Sequence, residues 1–239
     1  ATWGLSKGLA KKDIQIYVST TDANGSSRLK VSTNIFTQKE KNIFVKYYHE
    51  QLINSCSLAF IFGVWSDIKQ ADVIYIQYLF HYTVLFSLLF SVIQGKEIVL
   101  CPRGSFSSFT LSNKLPLIKA LWIKLFVKPF LKSINWQASS YLEEKDIKRI
   151  FPNARVEVIN DGVDYTSFQE FKKCEKNVLL EEYTNIQFKD ISNIFFSMGR
   201  LHSIKGFDVL IDAFSLFIKE DQNAKLIIAG GDDGVGEKL

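Results

Sequence analysis

The chain has 239 residues, 47% of them hydrophobic, which is enough to fill one large core or two modest ones and excludes an intrinsically disordered protein. Its 29 Lys and Arg outnumber 25 Asp and Glu by a formal charge of +4, without the dense basic runs of nucleic-acid-binding arms. Cys56, Cys101 and Cys174 are far apart and form no CxxC pair. This spacing argues against a disulfide framework or zinc site and fits a reducing compartment.

Two stretches of the chain bear on membrane targeting, its first residues and its longest apolar run. Residues 1–12 carry neither an initiator Met nor an apolar signal core and have the pattern of a helix, so we expect the chain to begin inside a longer gene product. The longest apolar stretch, Tyr82 to Ile93, has about twelve residues. A membrane-spanning helix needs roughly 20, so this stretch predicts a buried helix.

Short β-branched or aromatic runs alternate with amphipathic stretches along the chain. This alternation predicts an α/β fold with parallel sheets. The predicted strands are Ile14 to Ser19, Val73 to Gln77, Glu97 to Cys101, Asn135 to Ala138, Val156 to Ile159, Ile194 to Met198 and Lys225 to Ala229. The predicted helices are Ile43 to Phe62, Tyr82 to Ile93, Pro116 to Ile134, Glu143 to Ile150 and Phe207 to Glu220.

Local signals refine this order of elements. The run Ser139-Ser140-Tyr141-Leu142-Glu143 has the spacing of a capping box, so a helix is expected to begin there. The polar, weakly periodic segment 164–190 is predicted to link two domains. A domain that begins near Ile194 has only two strands and one helix before the sequence stops, so we expect it to be truncated.

The strongest chemical signal runs from Ser197 to Asp208, between a predicted strand and a predicted helix. It therefore lies at the carboxyl end of a strand, where open α/β sheets bind ligands. Gly199 and Gly206 permit tight turns, and Arg200 and Lys205 place two cations on one loop, as a diphosphate would require. From spacing alone, ordinary solvated loop cations explain the pattern equally well.

Gly-Arg-Leu-x-x-x-Lys-Gly, followed by an apolar helix and Lys-Leu-Ile-Ile-Ala-Gly, resembles the start of the C-terminal domain of group 1, or family 4, glycosyltransferases. The run Val158-Ile159-Asn160-Asp161-Gly162-Val163-Asp164 is similar to the family's Ile-Pro-Asn-Gly-Val-Asp turn between domains. Cys101-Pro102-Arg103-Gly104 and Ala138-Ser139-Ser140 extend the resemblance over nearly the whole chain. It implies a GT-B fold of two Rossmann-like domains with parallel sheets, both incomplete here.

The domains implied are an acceptor-binding domain at 1–163 that lacks its first strand, a linker at 164–190, and the start of a nucleotide-sugar-binding domain at 191–239. By resemblance, Arg200 and Lys205 contact the donor diphosphate and stabilise the leaving nucleotide. The resemblance also implies that Gly199, Gly230 and Gly231 lie beside the donor. Gly230 and Gly231 are explained equally well as a turn that ends the strand. No metal is expected, because Asp232-Asp233 is better interpreted as a turn than as a metal-binding pair.

Several features depart from the family pattern. The glycine-rich loop that follows the first strand would precede Ala1, and the Glu-x7-Glu pair would follow the sequence given, so these residues alone are expected to be inactive. Arg103 stands where the family commonly has His, and Arg103 and His81 are candidate acceptor contacts. Asp161 replaces the family's Asn. His49 is interpreted as a surface residue of a helix and His202 as a filler of the Arg-Lys loop.

The predicted helix Pro116 to Ile134 carries Lys124, Lys128 and Lys132 at four-residue spacing, offset from three aromatic residues, Trp122, Phe126 and Phe130. A cationic stripe beside an aromatic stripe suits a helix that lies on an anionic membrane surface. An ordinary amphipathic helix with a solvated lysine face is the alternative.

The function implied is retaining transfer of a hexose from a UDP- or GDP-sugar to a glycan or lipid-linked acceptor, in bacterial surface polysaccharide or lipopolysaccharide biosynthesis. We therefore expect the protein in the cytoplasm, or at the cytoplasmic face of the inner membrane. No nucleic acid is expected as a partner. The alternative is a noncatalytic relic of the fold that binds nucleotide sugar or glycan. A Rossmann oxidoreductase is disfavoured because no G-x-G-x-x-G follows any predicted strand.

Overall fold

A computed structural model describes residues 2–24, 27–51, 56–163, 191–234 and 236. The chain divides into two compact units, Ala1–Tyr165 and Thr166–Leu239. The linker predicted at 164–190 lies outside the described residues. Among the helices of the described ranges, none combines the length and the apolar character that a bilayer crossing requires.

The first unit contains two sheets. Parallel β1 and β5 form one sheet with β4, which is antiparallel to β5, and β6, β7, β8 and β9 pair in that order in an all-parallel sheet. A short antiparallel hairpin of β2 and β3 follows β1. The strands are β1 (Ile16–Thr21), β2 (Ala23–Asn24), β3 (Ser27–Arg28), β4 (Phe36–Glu40), β5 (Ile43–Tyr48), β6 (Val73–Gln77), β7 (Glu97–Cys101), β8 (Ile134–Ala138) and β9 (Arg155–Val158).

Helices connect the strands of the first unit and cover its sheets. They are α1 (Thr2–Ala10), α2 (Leu58–Gln70), α3 (Tyr82–Ile93), α4 (Ser108–Ser112), α5 (Pro116–Trp122) and α6 (Tyr141–Ile150). The main core lies where α3 and α6 pack on the four-stranded sheet, around the fully buried Leu88, Leu100, Trp136 and Ile147. Parallel strands covered by helices are apolar along their length, which is why β7 and β8 were readable as buried runs.

A second cluster attaches α2 to β5, around Tyr48, Phe60, Val64 and Ile68. The Tyr48 hydroxyl donates a hydrogen bond to Asp67 of α2 at 2.5 Å. A Cβ on Gly63 would lie 2.3 Å from the Tyr48 ring, so glycine is needed for this close approach.

The prediction of a helix from Ile43 to Phe62 is wrong in its first part. Residues 43–48 form β5, in which Ile43 and Val45 are buried and Phe44 and Lys46 are half-buried, the alternation of a strand. The helix begins only at Leu58, where the Ser57 Oγ caps it by accepting a hydrogen bond from the N–H of Phe60 at 3.0 Å.

The predicted helix Pro116 to Ile134 is helical over nearly its whole length, but its hydrogen-bonding pattern changes along the way. The α-helical turns of α5 pass into a π-helical stretch at Ile123–Val127 and a 3₁₀ stretch at Lys128–Ser133. Pro129 stands at the start of the last stretch, and its missing N–H prevents a regular α-helical ladder there.

The described part of the second unit is a βαβ arrangement. It consists of β10 (Ile194–Met198), α7 (Phe207–Phe217) and β11 (Lys225–Ala229), with β10 and β11 paired in parallel. Phe207 and Ala224 are buried between these elements. All three begin at the predicted residues, and α7 ends three residues earlier than predicted.

Candidate functional site

The carboxyl ends of β10 and β11 bring together the glycines and cations singled out in the sequence. The Gly199 N–H donates to Ala229 O at 2.9 Å, and the Leu201 N–H donates to Gly231 O at 2.9 Å. The parallel ladder thus continues beyond the strands, with a bridge between Leu201 and Asp232. Residues 199–206, here called the cationic loop, are therefore fixed at their start by the loop that follows β11.

Gly230 permits the close approach of these two backbones. A Cβ on Gly230 would lie 1.8 Å from the carbonyl oxygen of Gly199. A Cβ on Gly199 would meet the Phe207 ring at 3.5 Å and the Lys205 side chain at 3.8 Å. Any residue other than glycine at position 230 would push the two loops apart.

Arg200 and Lys205 are both exposed on the cationic loop. The Arg200 side chain has 72% of its surface exposed and forms an ion pair with Asp233, with Nη1 and Oδ2 2.5 Å apart. Lys205 ends a single 3₁₀ turn, Ser203–Lys205, and the aliphatic part of its side chain folds back beside Gly199. Two permanent cations thus stand on one short loop at the carboxyl edge of the sheet.

The cationic loop ends at the N-terminus of α7. Gly206 has φ +65°, in the left-handed region, and reverses the chain directly before Phe207 begins the helix. The first N–H groups of a helix carry partial positive charge, which adds to that of Arg200 and Lys205. His202 is a local cap, because its Nδ1 accepts a hydrogen bond from the N–H of Ile204 at 3.2 Å. Positive charge is therefore concentrated on this loop and at the helix start that follows it, with the Asp233 carboxylate paired to Arg200.

Asp232 shapes the turn after β11. Its Oδ1 accepts hydrogen bonds from the N–H groups of Gly234 at 3.0 Å and Gly236 at 2.8 Å. Across the described ranges, no three His, Cys, Asp or Glu side chains gather as metal ligands would. Metal independence remains a prediction.

In the first unit, Arg103 follows β7 in a left-handed conformation, with φ +52°, and Gly104 continues it with φ +75°. The Arg103 guanidinium, only 10% exposed, is bound by the carboxylate of Asp161. That hydrogen bond from Arg103 holds the pKa of Asp161 below its usual range, against the opposing effect of burial. Arg103 is thus tied to the segment that leads out of the first unit.

Glu143 holds the 102–104 loop in place, a role that the sequence did not show. Its buried carboxylate accepts hydrogen bonds from the Gly104 N–H at 2.6 Å and from the N–H and Oγ of Ser139, both at 2.7 Å. The predicted capping box is present in part, since Ser140 Oγ accepts from the Glu143 N–H at 3.2 Å. The Glu143 side chain, however, also reaches beyond the helix cap to the loop that follows β7, at Gly104.

His81 is the N-cap of α3, with its Nδ1 3.4 Å from the donating N–H of Thr83. Burial lowers the pKa of His81, and the nearby charge of Glu50 opposes that effect only in part. The lowered pKa favours the neutral form of the imidazole. In the described geometry His81 stabilises a helix start, and its contact with an acceptor remains a prediction.

The aromatic stripe that a membrane-surface helix would expose packs inward. Trp122 donates from Nε1 to Leu79 O at 3.1 Å, Phe126 packs edge-on against Trp122, and Phe130 packs against the core. Aliphatic side chains are exposed on this segment instead, namely Leu117, Ile118, Leu121 and Leu125. The exposed apolar face of this segment is therefore aliphatic and begins within α5 itself.

His49 lies at the end of β5 and not in the helix predicted for it. Its Nδ1 is 2.7 Å from Oδ2 of Asp22, a buried carboxylate directly after β1. The sequence did not predict this contact, because 26 residues lie between Asp22 and His49. Only the parallel register of β1 and β5 brings the two side chains together.

Comparisons with known proteins agree with this architecture. Residues 181–238 match the family model described as glycosyl transferases group 1. The sucrose-phosphate synthase of Thermosynechococcus elongatus superposes with a TM-score of 0.66 and 12% identity, over 96% of this chain and 56% of that one. HepE of Anabaena, solved in complex with UDP-glucose, superposes with a TM-score of 0.58 and 17% identity, over 81% of this chain and 49% of that one.

These likenesses show an α/β fold of the GT-B type, as the sequence predicted. The chain spans about half the length of the two solved structures. No curated protein sequence matches it.

Proposed function

We propose that the protein is a group 1 glycosyltransferase that moves a hexose from a UDP- or GDP-sugar to a glycan or lipid-linked acceptor with retention at the anomeric carbon. The observation that carries the proposal is the cationic loop, where Arg200 and Lys205 stand at the carboxyl end of β10 beside the start of α7. The match of residues 181–238 to the family model supports it, because the match includes this loop.

The chemistry follows from charge. When the glycosidic bond breaks, a nucleoside diphosphate leaves with growing negative charge on its β-phosphate. A guanidinium and an ammonium fixed next to a helix N-terminus stabilise that charge more in the transition state than in the bound donor, an effect of several kcal/mol in enzymes. Arg103 and His81 are the residues of the first unit that we assign to the acceptor.

The test is turnover by the protein in its full reading frame. UDP- and GDP-hexoses would be offered with saccharide and lipid-linked acceptors, and released UDP or GDP would be measured. The Arg200→Ala, Lys205→Ala double variant should lose at least a hundredfold in rate. An Arg155→Ala, Lys219→Ala variant removes the same charges from exposed positions elsewhere and should keep its activity.

The outcomes separate the two readings of the chain. Release of nucleotide together with a product of unchanged anomeric configuration supports the retaining enzyme. NMR coupling constants of the product report that configuration. Binding of nucleotide without any release supports the noncatalytic relic. Inversion at the anomeric carbon would contradict retention while leaving transfer itself supported.

We also propose that the first unit touches an anionic membrane surface, as a cytoplasmic enzyme of surface polysaccharide or lipopolysaccharide assembly at the inner membrane would. Leu117 is 84% exposed, and Ile118, Leu121 and Leu125 continue an apolar face along the same segment. Lys124, Lys128 and Lys132 are exposed beside it. Aliphatic groups that enter the lipid interface next to lysines that attract headgroups are typical of surface-bound helices.

Co-sedimentation with vesicles tests this contact. Vesicles that contain phosphatidylglycerol should retain the protein, and those of phosphatidylcholine alone should not. A Leu117→Ser, Leu121→Ser variant should lose most of the bound fraction. Tyr141→Ser, Leu142→Ser, which changes two exposed apolar residues of α6, is the matched control and should bind as the wild type does. Equal loss in both variants would contradict the assigned surface.

A further inference from the structure

A second group of charged side chains lies at the carboxyl ends of β1 and β5, apart from the residues assigned above. Asp22 follows β1 and His49 follows β5, and the parallel pairing of Thr21 with Tyr48 sets them side by side. Asp22 is 2% exposed and accepts a hydrogen bond at Oδ1 from the Glu50 N–H, 2.8 Å away. Its other oxygen faces His49 Nδ1 at 2.7 Å.

These contacts define the state of the imidazole. His49 Nε2 lies 3.3 Å from Nη1 of Arg28, and a guanidinium can only donate. Nε2 therefore accepts, and Nδ1 carries the hydrogen that Asp22 binds. Burial alone would raise the pKa of Asp22, but the bonds from Glu50 and His49 hold it below its usual range. Asp22 is thus a fixed anion that orients a neutral His49.

The space next to this pair is open and has basic walls. A cavity of about 720 Å³ is lined by Asp22, Arg28, Lys30 and His49, with Ser32 and Thr33 among the remaining residues. Both oxygens of Asp22 are already engaged on its inner side. Arg28 and Lys30, in contrast, are exposed. Beyond Asp22, the charged groups that line the cavity with His49 are the two cations Arg28 and Lys30, and the buried carboxylate of Glu50, next to His49 in the chain, is not part of the lining.

We propose that this cavity, the Asp22–His49 pocket, binds a phosphate group through Arg28, Lys30 and the Nε2 atom of His49. A guanidinium, an ammonium and an imidazolium can each donate to one of the three terminal oxygens of a phosphate monoester, whereas a carboxylate offers only two oxygens. On binding, a phosphate monoanion transfers its proton to Nε2 and is held as the dianion, so that Nε2 changes from acceptor to donor and Asp22 stabilises the imidazolium through Nδ1.

The place of the pocket indicates where the phosphate comes from. It belongs to the first unit, to which we assign the acceptor, so the phosphate would be carried by the acceptor itself. That identification rests on the proposed function, whereas phosphate binding by the pocket does not. A soluble sugar phosphate and a phosphate-bearing lipid share this chemistry.

Histidine NMR tests the proposal directly, because the chain contains 3 His and gives as many imidazole signals, which single His→Gln variants assign. Inorganic phosphate at pH 7 should move the His49 signal saturably towards the imidazolium position and leave His81 unchanged. Arg28→Ala, Lys30→Ala should weaken this response at least tenfold. Lys39→Ala, Lys41→Ala removes two exposed cations elsewhere in the first unit and should leave it intact.

Two further arms identify the source and separate this proposal from the first. If a hexose 6-phosphate saturates the His49 signal at a concentration at least tenfold lower than inorganic phosphate does, the ligand is a soluble sugar phosphate. If vesicles of phosphatidic acid broaden the His49 signal, the ligand is a lipid. The Arg200→Ala, Lys205→Ala variant should respond at His49 as the wild type does, whatever its activity. A His49 signal unmoved by phosphate, or moved equally in Arg28→Ala, Lys30→Ala, would overturn the proposal.

Discussion

A Cβ atom on Gly230 would lie 1.8 Å from the carbonyl oxygen of Gly199, whereas one on Gly231 would meet no heavy atom within 4 Å. Two adjacent glycines at the end of the same strand therefore have different reasons to be glycine. The first lets the backbone after β11 lie directly against the start of the cationic loop. The second lies in open space.

This contrast gives a matched pair of substitutions. Gly230→Ala should lower the free energy of unfolding by about 1–3 kcal/mol, because the backbone must move to admit the methyl group. Gly231→Ala should change it by no more than about 0.5 kcal/mol. Thermal and urea unfolding of the two variants would measure the difference, and equal stabilities would show that the two backbones do not approach as closely as described.

Glu143 should be sensitive to the loss of its charge even though the shape is kept. Glu143→Gln replaces an acceptor oxygen with an amide NH₂, which then faces an N–H donor and leaves it unsatisfied, at a cost of about 1–3 kcal/mol. Glu144→Gln, on the next position, removes only a surface ion pair with Lys148 and should cost less than about 1 kcal/mol. Urea unfolding at pH 7 compares them. Equal costs would argue against the bond to Gly104.

The Arg103–Asp161 pair predicts a pH dependence. Because the pKa of Asp161 is lowered in the folded state, its contribution to stability is present above the ordinary pKa of 3.8 and is lost as the pH falls through the folded value. Asp161→Asn should therefore be less stable than wild type at pH 7, by no more than about 1 kcal/mol for a half-exposed carboxylate. The difference should vanish well below pH 3.8. Asp72→Asn, at another exposed carboxylate, serves as the control, and a gap that persists in acid would contradict the ion pair.

Asp233 should compete with a diphosphate for Arg200. In the described structure its Oδ2 atom accepts a hydrogen bond from Nη1 of the guanidinium at 2.5 Å. Asp233→Asn removes that competitor and should strengthen binding of a nucleoside diphosphate up to about fivefold, since exposed ion pairs contribute less than about 1 kcal/mol. Calorimetry at low and at high salt would test this, with Asp212→Asn on α7 as the control. Weaker binding to Asp233→Asn would show that the carboxylate positions Arg200 and does not compete for it.

Regular elements were predictable where one pattern dominated the local sequence. Strands β6, β7, β10 and β11 and helix α3 have the predicted bounds, because each is a compact apolar run between polar residues. The strand β5 was mistaken for helix because Ile43 to Phe62 joins a strand and a helix without a Gly or Pro between them. The irregular winding after α5 likewise depends on packing that no periodicity reveals.

The candidate site divides in the same way. The cationic loop was visible because Gly199, Arg200 and Lys205 are close together in the chain, and the structure places them on one loop. The carboxylate of Glu143 on the 102–104 loop and the pairing of Asp22 with His49 join residues distant in sequence. Only the strand register and the tertiary packing bring such groups into contact, so the sequence could not show them.

Calorimetric titration of UDP and GDP into the full-length protein tests the central claim most directly, because it asks whether the cationic loop holds a nucleoside diphosphate. We expect micromolar binding of one of the two nucleotides. The Arg200→Ala, Lys205→Ala variant should lose at least about 2 kcal/mol of it, or about thirtyfold in affinity. The Arg155→Ala, Lys219→Ala variant should bind as the wild type does. If neither nucleotide binds the intact protein, or if the double variant binds as tightly as the wild type, the assignment of the donor site is wrong.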